Sequence, residues 1–210
     1  MESNFRAWTL DRIEENFGLV QVVSLAPLES LLSFDYTATD YQAHYLNQIA
    51  QNYLLFGGDD WNEVELENKI ISPIIVLSEI DNKQFAYFLE RELRITIGNY
   101  ELSGKVDGMI ATGFRRPKQP YFCLNEYKRG TDPNGDPRGQ ALIAMFVAQQ
   151  LNANNDPIFG CYIIGRSWYF MALVGKEYAI SNVYTCTDDG IFDIFRILKG
   201  LRWHIERLIA

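Results

Sequence analysis

A chain of 210 residues, 48% hydrophobic and 14% aromatic, carries enough apolar surface to bury a full core, and its length fits one globular unit with an extension. The net charge of −8 argues against tight non-specific nucleic-acid binding, which depends on Lys and Arg neutralising phosphates. No apolar run approaches the roughly 20 residues of a membrane span, and Met1-Glu2-Ser3-Asn4 lacks the basic-then-apolar pattern of an export signal, so a cytoplasmic protein that touches no membrane is expected. Cys123, Cys161 and Cys186 are odd in number and far apart in apolar surroundings, which points to buried free thiols rather than a disulfide framework or a zinc site.

Residues 1–56 read as a helical extension packed on the core, and residues 57–210 as the core itself. Thr9 is placed to cap a helix through Leu10, Ile13 and Phe17, and Thr39 or Asp40 to cap another through Tyr41, Tyr45, Ile49 and Tyr53. Gly57-Gly58 ends that segment. Asp59 or Asp60 is the expected cap of a third helix with the stripe Leu66, Ile70, Ile74, Leu77, which Pro73 kinks or divides.

After Asp81-Asn82 the pattern becomes strand-like. Residues 88–97 and 100–109 flank Gly98-Asn99, a hairpin signal; residues 113–120 form a second turn and 121–129 a third strand. The segment 130–137 is rich in Gly, Pro, Asp and Asn and reads as a loop, followed by a helix over 137–152 that is apolar on most sides and therefore buried against a sheet. Strands over 158–165, 168–174 and 178–185 and an amphipathic helix over 191–209 complete an α/β arrangement around a mixed sheet.

Charge is unevenly distributed. Between Gly104 and Gly139 lie seven basic residues and four acidic ones, a local balance of +3 on an acidic chain. Such a zone suits contact with an anion. Within it fall Ser103-Gly104-Lys105-Val106-Asp107-Gly108, then Asn125-Glu126-Tyr127-Lys128-Arg129, then Arg138-Gly139-Gln140 at the start of the apolar helix. Because side chains alternate along a strand, Glu126 and Lys128 share a face with Phe122 and Leu124. Two charges thus follow two apolar residues on one side, as at a strand end where a core opens into a cleft. A hairpin would bring the Asp107 carboxylate beside that of Glu126, and neighbouring carboxylates repel unless a proton or cation lies between them. Oxygen ligands with retained waters suit Mg2+, and a nearby Lys suits the orientation of a water and the charge of a phosphate.

This pattern resembles the PD-(D/E)XK, or restriction-endonuclease-like, nuclease superfamily over roughly residues 60–165: Gly104-Lys105-Val106-Asp107 looks like its G-x-x-D half and Glu126-Tyr127-Lys128 like its E-x-K half. The resemblance implies a restriction-endonuclease-like mixed β-sheet core flanked by helices. It implies Asp107 and Glu126 as ligands of Mg2+ or Mn2+ and Lys128 as the catalytic lysine. Many members add a Glu on the helix before the sheet; Glu63 lies on the inward stripe of that helix, with Glu67 as the second choice. Some add a Gln on the following helix with a Tyr four residues later; Gln140 fits, whereas Ala144 occupies the Tyr position. The implied activity is metal-dependent phosphodiester hydrolysis in DNA, with Arg115, Arg116, Lys118, Arg129 and Arg138 contacting nucleic acid and a homodimer as one possible assembly. The alternative is a catalytically inactive nuclease-fold module that binds nucleic acid or protein.

Other features carry less chemistry. His44 and His204 are isolated, and no hydrolase elbow, phosphate loop or dinucleotide fingerprint occurs. The aromatic residues Tyr162, Trp168, Tyr169, Phe170 and Tyr178 alternate as core residues do, although such rings also stack on unpaired bases.

Overall fold

The computed structural model describes residues 2–130 and 135–209. A long helical region precedes the three central strands: α1 (Leu10–Phe17), α2 (Ala26–Leu32), α3 (Asp40–Leu55), α4 (Glu63–Leu66) and α5 (Ser72–Leu77). Two short strands, β1 (Glu2–Asn4) and β2 (Val20–Gln21), interrupt it. Then come β3 (Phe85–Ile97), β4 (Tyr100–Thr112), β5 (Lys118–Lys128), α6 (Pro137–Asn152), β6 (Ile158–Ile164), β7 (Ser167–Val174), β8 (Glu177–Ile180), β9 (Tyr184–Thr185) and α7 (Gly190–Leu208). All nine strands join one mixed sheet in the order β1-β4-β5-β6-β7-β8-β2, with β3 also on β4 and β9 also on β7. Among the described residues no helix is long and apolar enough to cross a membrane.

Alternation along the strands feeds two separate cores. In β7, Phe170 and Ala172 join α2, α3, α5 and α7 in one core, while Met171 and Leu173 join α6 and α1 in the other. The sheet is therefore sandwiched between helical layers. Helix α6 is apolar almost all round because it is wedged between the sheet and the segment running from Phe5 into α1, and residues 139–149 are all buried.

Residues 1–56, expected to be a helical extension packed on the core, also contain strands: β1 pairs in parallel with β4 and β2 in parallel with β8, so this region is built into the sheet. Strands of two or three residues carry too little periodicity to register in sequence. The cap of α4 is Asn62 rather than Asp59 or Asp60, because Asn62 and Glu65 form a reciprocal capping box at 2.9 and 3.1 Å. As expected near Pro73, the helical run is divided: α4, a π-helical stretch over Glu67–Ile71 and α5 follow one another with αR backbone at the junctions, the widened turn lying just before the proline. The strand expected over 178–185 is two strands, β8 and β9, both paired with β7.

The sheet has two irregularities near its centre. Opposite β4, β5 contains a bulge around residues 121–123, so Phe122 packs against Phe85 in the core that holds Tyr127 and does not share a face with Glu126. Between β3 and β4 the residues facing α6 change parity in both strands, from Phe88 to Leu93 and from Val106 to Met109, while the pairing register is unbroken. At the crossover sits Glu90, with φ of 52°, a left-handed conformation that side chains rarely adopt inside a strand.

Candidate active site

The site lies where β4 loses a partner. Along one edge β4 pairs with β3 over its full length, but its other edge is shared: β1 takes residues 101–103 and β5 takes residues 108–112. Residues 104–107 are left without a strand on that side, and a cleft of about 610 Å³ opens there, lined by Asn4, Arg6, Ala7, Glu90, Lys105, Asp107, Glu126 and Gln140. Two other depressions of about 540 and 580 Å³ lie around α5, where Glu79 is held by Lys199 and Arg202. Size does not distinguish the three. Buried acid does.

Strand β5 continues past its last pair with β4, Gly108↔Asn125, held on its other edge by β6 from Cys123↔Phe159 to Lys128↔Ile164. Where the ladder with β4 stops, the Asp107 side chain takes over: its Oδ2 accepts the Tyr127 N–H at 2.6 Å. Asp107 is thereby fixed at the fork. On the face toward α6, Lys128 Nζ donates to Glu126 Oε1 at 2.8 Å and to the Tyr127 carbonyl at 3.1 Å, and lies 3.5 Å from Glu63 Oε1 at the start of α4. Glu126 and Lys128 are buried, at 6% and 8% exposure, values at which an unpaired charge would be strongly unfavourable.

The electrostatics follow from that burial. Desolvation, then repulsion by Asp107, pushes the Glu126 carboxyl up to about 7 despite the offsetting Lys128. Asp107 is likewise pushed up to about 7 by burial; Lys128 opposes the rise, while Glu63, Glu90 and Glu67 add to it. Burial works against the Lys128 ammonium, but Glu126, Glu63 and Asp107 outweigh it and hold its pKa above the ordinary lysine value. The cluster is short of positive charge, and Lys128 remains protonated at neutral pH.

The expected residues Asp107, Glu126, Lys128, Glu63 and Gln140 thus converge on one cleft and its rim. Glu67, the second choice on the helix, is half-buried beside Glu90, and burial followed by that neighbour raises its pKa. Arg138 begins α6 and pairs with Asp136 at 3.1 Å, and Arg129 is exposed just beyond Lys128. Arg115, Arg116 and Lys118 are placed elsewhere: they form the β4–β5 tip, at the opposite end of β5 from Glu126. Glu126 lies eight strand steps from Lys118, roughly 26 Å at the rise of a β-strand. Of the loop expected over 130–137, residues 131–134 lie outside the described residues.

The glycines beside Asp107 have a packing cause. A Cβ on Gly104 would sit 2.4 Å from the Phe5 ring, and one on Gly108 would meet the hydroxyls of Tyr87 and Tyr127. Those hydroxyls contact one another, and the Tyr87 hydroxyl accepts from Asn125 Nδ2 at 3.4 Å, a polar layer directly behind the site.

Sequence reasoning missed Asn4, Arg6 and Glu90 as cleft residues and gave Lys105 no role. Lys105 donates to Glu90 at 2.8 Å, and that contact holds the Glu90 carboxyl below its ordinary range. No local signal marks Asn4 or Arg6, whose position depends on pairing with residues about a hundred positions away.

Among the described residues no three Asp, Glu, His or Cys side chains are arranged to hold a metal ion. In comparisons with known proteins the chain matches no family model, and no curated protein matches it in sequence.

Proposed function

We propose that this protein is a metal-dependent nuclease of the PD-(D/E)XK type that hydrolyses phosphodiester bonds in DNA. The observation that carries this reading is the buried cluster in which Lys128 bridges Glu126 and Glu63 beside Asp107, with two carboxyls raised to about 7 at the floor of an open cleft. Strained acids of this kind are expected at working sites rather than in structural ion pairs, where they only lower stability. The chain order of helix, three strands, helix and strand around β3, β4, β5 and β6 supports the restriction-endonuclease-like assignment.

The donor set fits Mg2+ or Mn2+. Asp107 and Glu126 offer hard oxygen ligands with mutual repulsion that a cation relieves, and Mg2+ keeps most of its waters and takes only one or two carboxylates from a protein. When bound, the cation supplies positive charge to the phosphate under attack. The chain's own groups do the rest. Lys128, held protonated, donates hydrogen bonds to the attacking water or to a phosphate oxygen, so it orients and neutralises and does not act as a base. Gln140, buried and with no side-chain hydrogen bond among the described residues, is placed to hold a phosphate oxygen or that water. In the reaction a water oxygen would bond to phosphorus as the bond from phosphorus to the leaving oxygen breaks, the water's proton passing to solvent and the leaving oxygen taking a proton from solvent.

The test is cleavage of single- and double-stranded DNA and RNA with Mg2+ or Mn2+, with Glu126→Ala and Lys128→Ala beside wild type. Loss of cleavage in both variants is expected, and unchanged cleavage in both refutes the assignment. A second reading, a catalytically inactive module of the same fold that binds nucleic acid or protein, is favoured by the absence of a three-ligand metal cluster among the described residues. It predicts nucleic-acid or protein binding without turnover by any form of the protein.

A further inference from the structure

The N-terminal segment is built into one wall of the cleft, and two glycines hold it there. The Phe5 ring covers Gly104 on β4, and the Trp8 carbonyl and Thr9 backbone press on Gly139 in the first turn of α6, where a Cβ would lie 2.4 Å from the Trp8 oxygen. Phe5 and Trp8 are buried, so the residues between them are fixed between β4 and α6. Asn4 accepts the Arg6 N–H at 3.0 Å, which starts the short 3-10 turn over Phe5–Ala7 and directs Arg6 toward the cleft it lines.

The cations around this cleft are otherwise engaged: Lys105 with Glu90, Lys128 with Glu126 and Glu63, Arg138 with Asp136. Arg6 is exposed, and among the described residues its guanidinium has no ion-pair or hydrogen-bond partner. An anion meeting Arg6 breaks no existing bond. In the same cleft the Gln140 side chain, at 4% exposure, also has no partner among the described residues. Because Gln140 lines the cleft, a ligand held there can reach its amide.

We propose that Arg6, together with the Gln140 amide, binds a backbone phosphate of the nucleic acid beside the Asp107–Glu126–Lys128 cluster, so that the N-terminal segment is part of the substrate site. This rests on the nuclease reading of that cluster. A guanidinium grips a phosphate through two parallel N–H donors, and the neutral amide adds a hydrogen bond without adding charge.

Binding of fluorescein-labelled single-stranded and duplex DNA is measured by anisotropy across a salt series, using the full chain in a Lys128→Ala background so that the probe is not cut. Arg6→Gln and Arg6→Lys are then compared with Arg6 intact. The expected result is a roughly tenfold loss of affinity in Arg6→Gln, with the slope of log K against log salt shallower by about 0.7 on single strands and about 0.9 on duplex, the signature of one lost phosphate contact. Arg6→Lys restores the slope but only part of the affinity. With Lys128 intact, Arg6→Gln raises KM for cleavage more than it lowers kcat. If wild type cleaves and binds DNA while Arg6→Gln leaves affinity and slope unchanged, the Arg6 site is overturned and the nuclease reading stands. If Arg6→Gln lowers the thermal midpoint and Arg6→Lys does not restore the slope, Arg6 only anchors the segment, and the proposal again fails. If no form binds or cuts DNA or RNA, both fall together.

Discussion

Replacing Glu126 with Gln should stabilise the metal-free protein at alkaline pH relative to wild type, and the gain should vanish in acid. In wild type the folded-state carboxyl is pushed up to about 7 by burial and by Asp107, against an ordinary 4.5. The folded state therefore binds its proton more tightly than the unfolded chain. Stability from this group is fully present below about 4.5 and is lost as pH rises through about 7. Moving a carboxyl across that interval corresponds to about 3 kcal/mol. Gln has the same shape, still accepts the bond from Lys128, and never ionises. Constant differences between the two proteins cancel when the comparison is made at two pH values, so the stability gap should shift by about 3 kcal/mol in favour of Glu126→Gln between pH ~4 and pH ~8. Asp107, also raised to about 7, leaves part of the wild-type slope in the variant.

The assay is urea unfolding of both proteins in chelator at the two pH values, followed at pH ~8 by titration with Mg2+. A ligand that binds only the folded protein stabilises it by about 2.7 kcal/mol at a hundred times its dissociation constant. Wild type should recover stability as the cation replaces the missing positive charge, and Glu126→Gln should recover much less. A gap that stays constant within roughly 0.5 kcal/mol across the two pH values would mean that Glu126 ionises in the fold as easily as in the unfolded chain. The picture of a charge-starved cluster would then be wrong.

Three further outcomes are expected. Gly104→Ala drives a Cβ into the Phe5 ring and should destabilise the fold by about 1–3 kcal/mol in urea unfolding, while weakening any ligand contact made by Arg6. Glu90→Gly relieves the left-handed backbone at the parity crossover and should stabilise by roughly 1 kcal/mol in the same assay, since the exposed pair with Lys105 that it removes contributes little. Replacing Arg115 and Arg116 together with Gln should change DNA affinity less than Arg6→Gln does, because the β4–β5 tip lies roughly 26 Å along the strand from Glu126, about three screening lengths at physiological salt.

The elements with long periodic patterns were legible in sequence: α1 with Thr9 before it, α3 with its Thr39 capping box, the β3–β4 hairpin through Gly98 and the buried α6. The spacing of Asp107, Glu126 and Lys128 on adjacent strands carried over to three dimensions because a hairpin register and side-chain alternation are local rules, and Glu63 followed from helical phase. What escaped was set by contacts between distant segments. The pairing of β1 with β4 involves three residues on each strand and has no pattern to read, so Asn4 and Arg6 stayed hidden. The bulge that turned Phe122 to the other face and the parity change at Glu90 depend on cross-strand packing, which alternation alone cannot foresee. Arg115, Arg116 and Lys118, expected as nucleic-acid contacts, stand at the β4–β5 tip because a strand carries residues steadily away from Glu126, so any contact they make is remote from the acidic cluster.

The same geometry bears on how so acidic a chain would hold a polyanion. Asp107, Glu126, Glu90, Lys105 and Arg6 line the cleft with Lys128 beside it on Glu126, and two of those three cations, Lys105 and Lys128, are already committed to carboxylates. A phosphate entering without a divalent cation meets at best a neutral field, and Lys128 must leave Glu126 in part to greet it. A cation between Asp107 and Glu126 changes both conditions at once: it neutralises the acids, and it releases Lys128 from restraining them. Cation and nucleic acid should therefore strengthen one another's binding by the same factor, as linkage requires. On the nuclease reading, the low positive charge that counts against a nucleic-acid substrate predicts tighter DNA binding when the cation is present than when it is chelated.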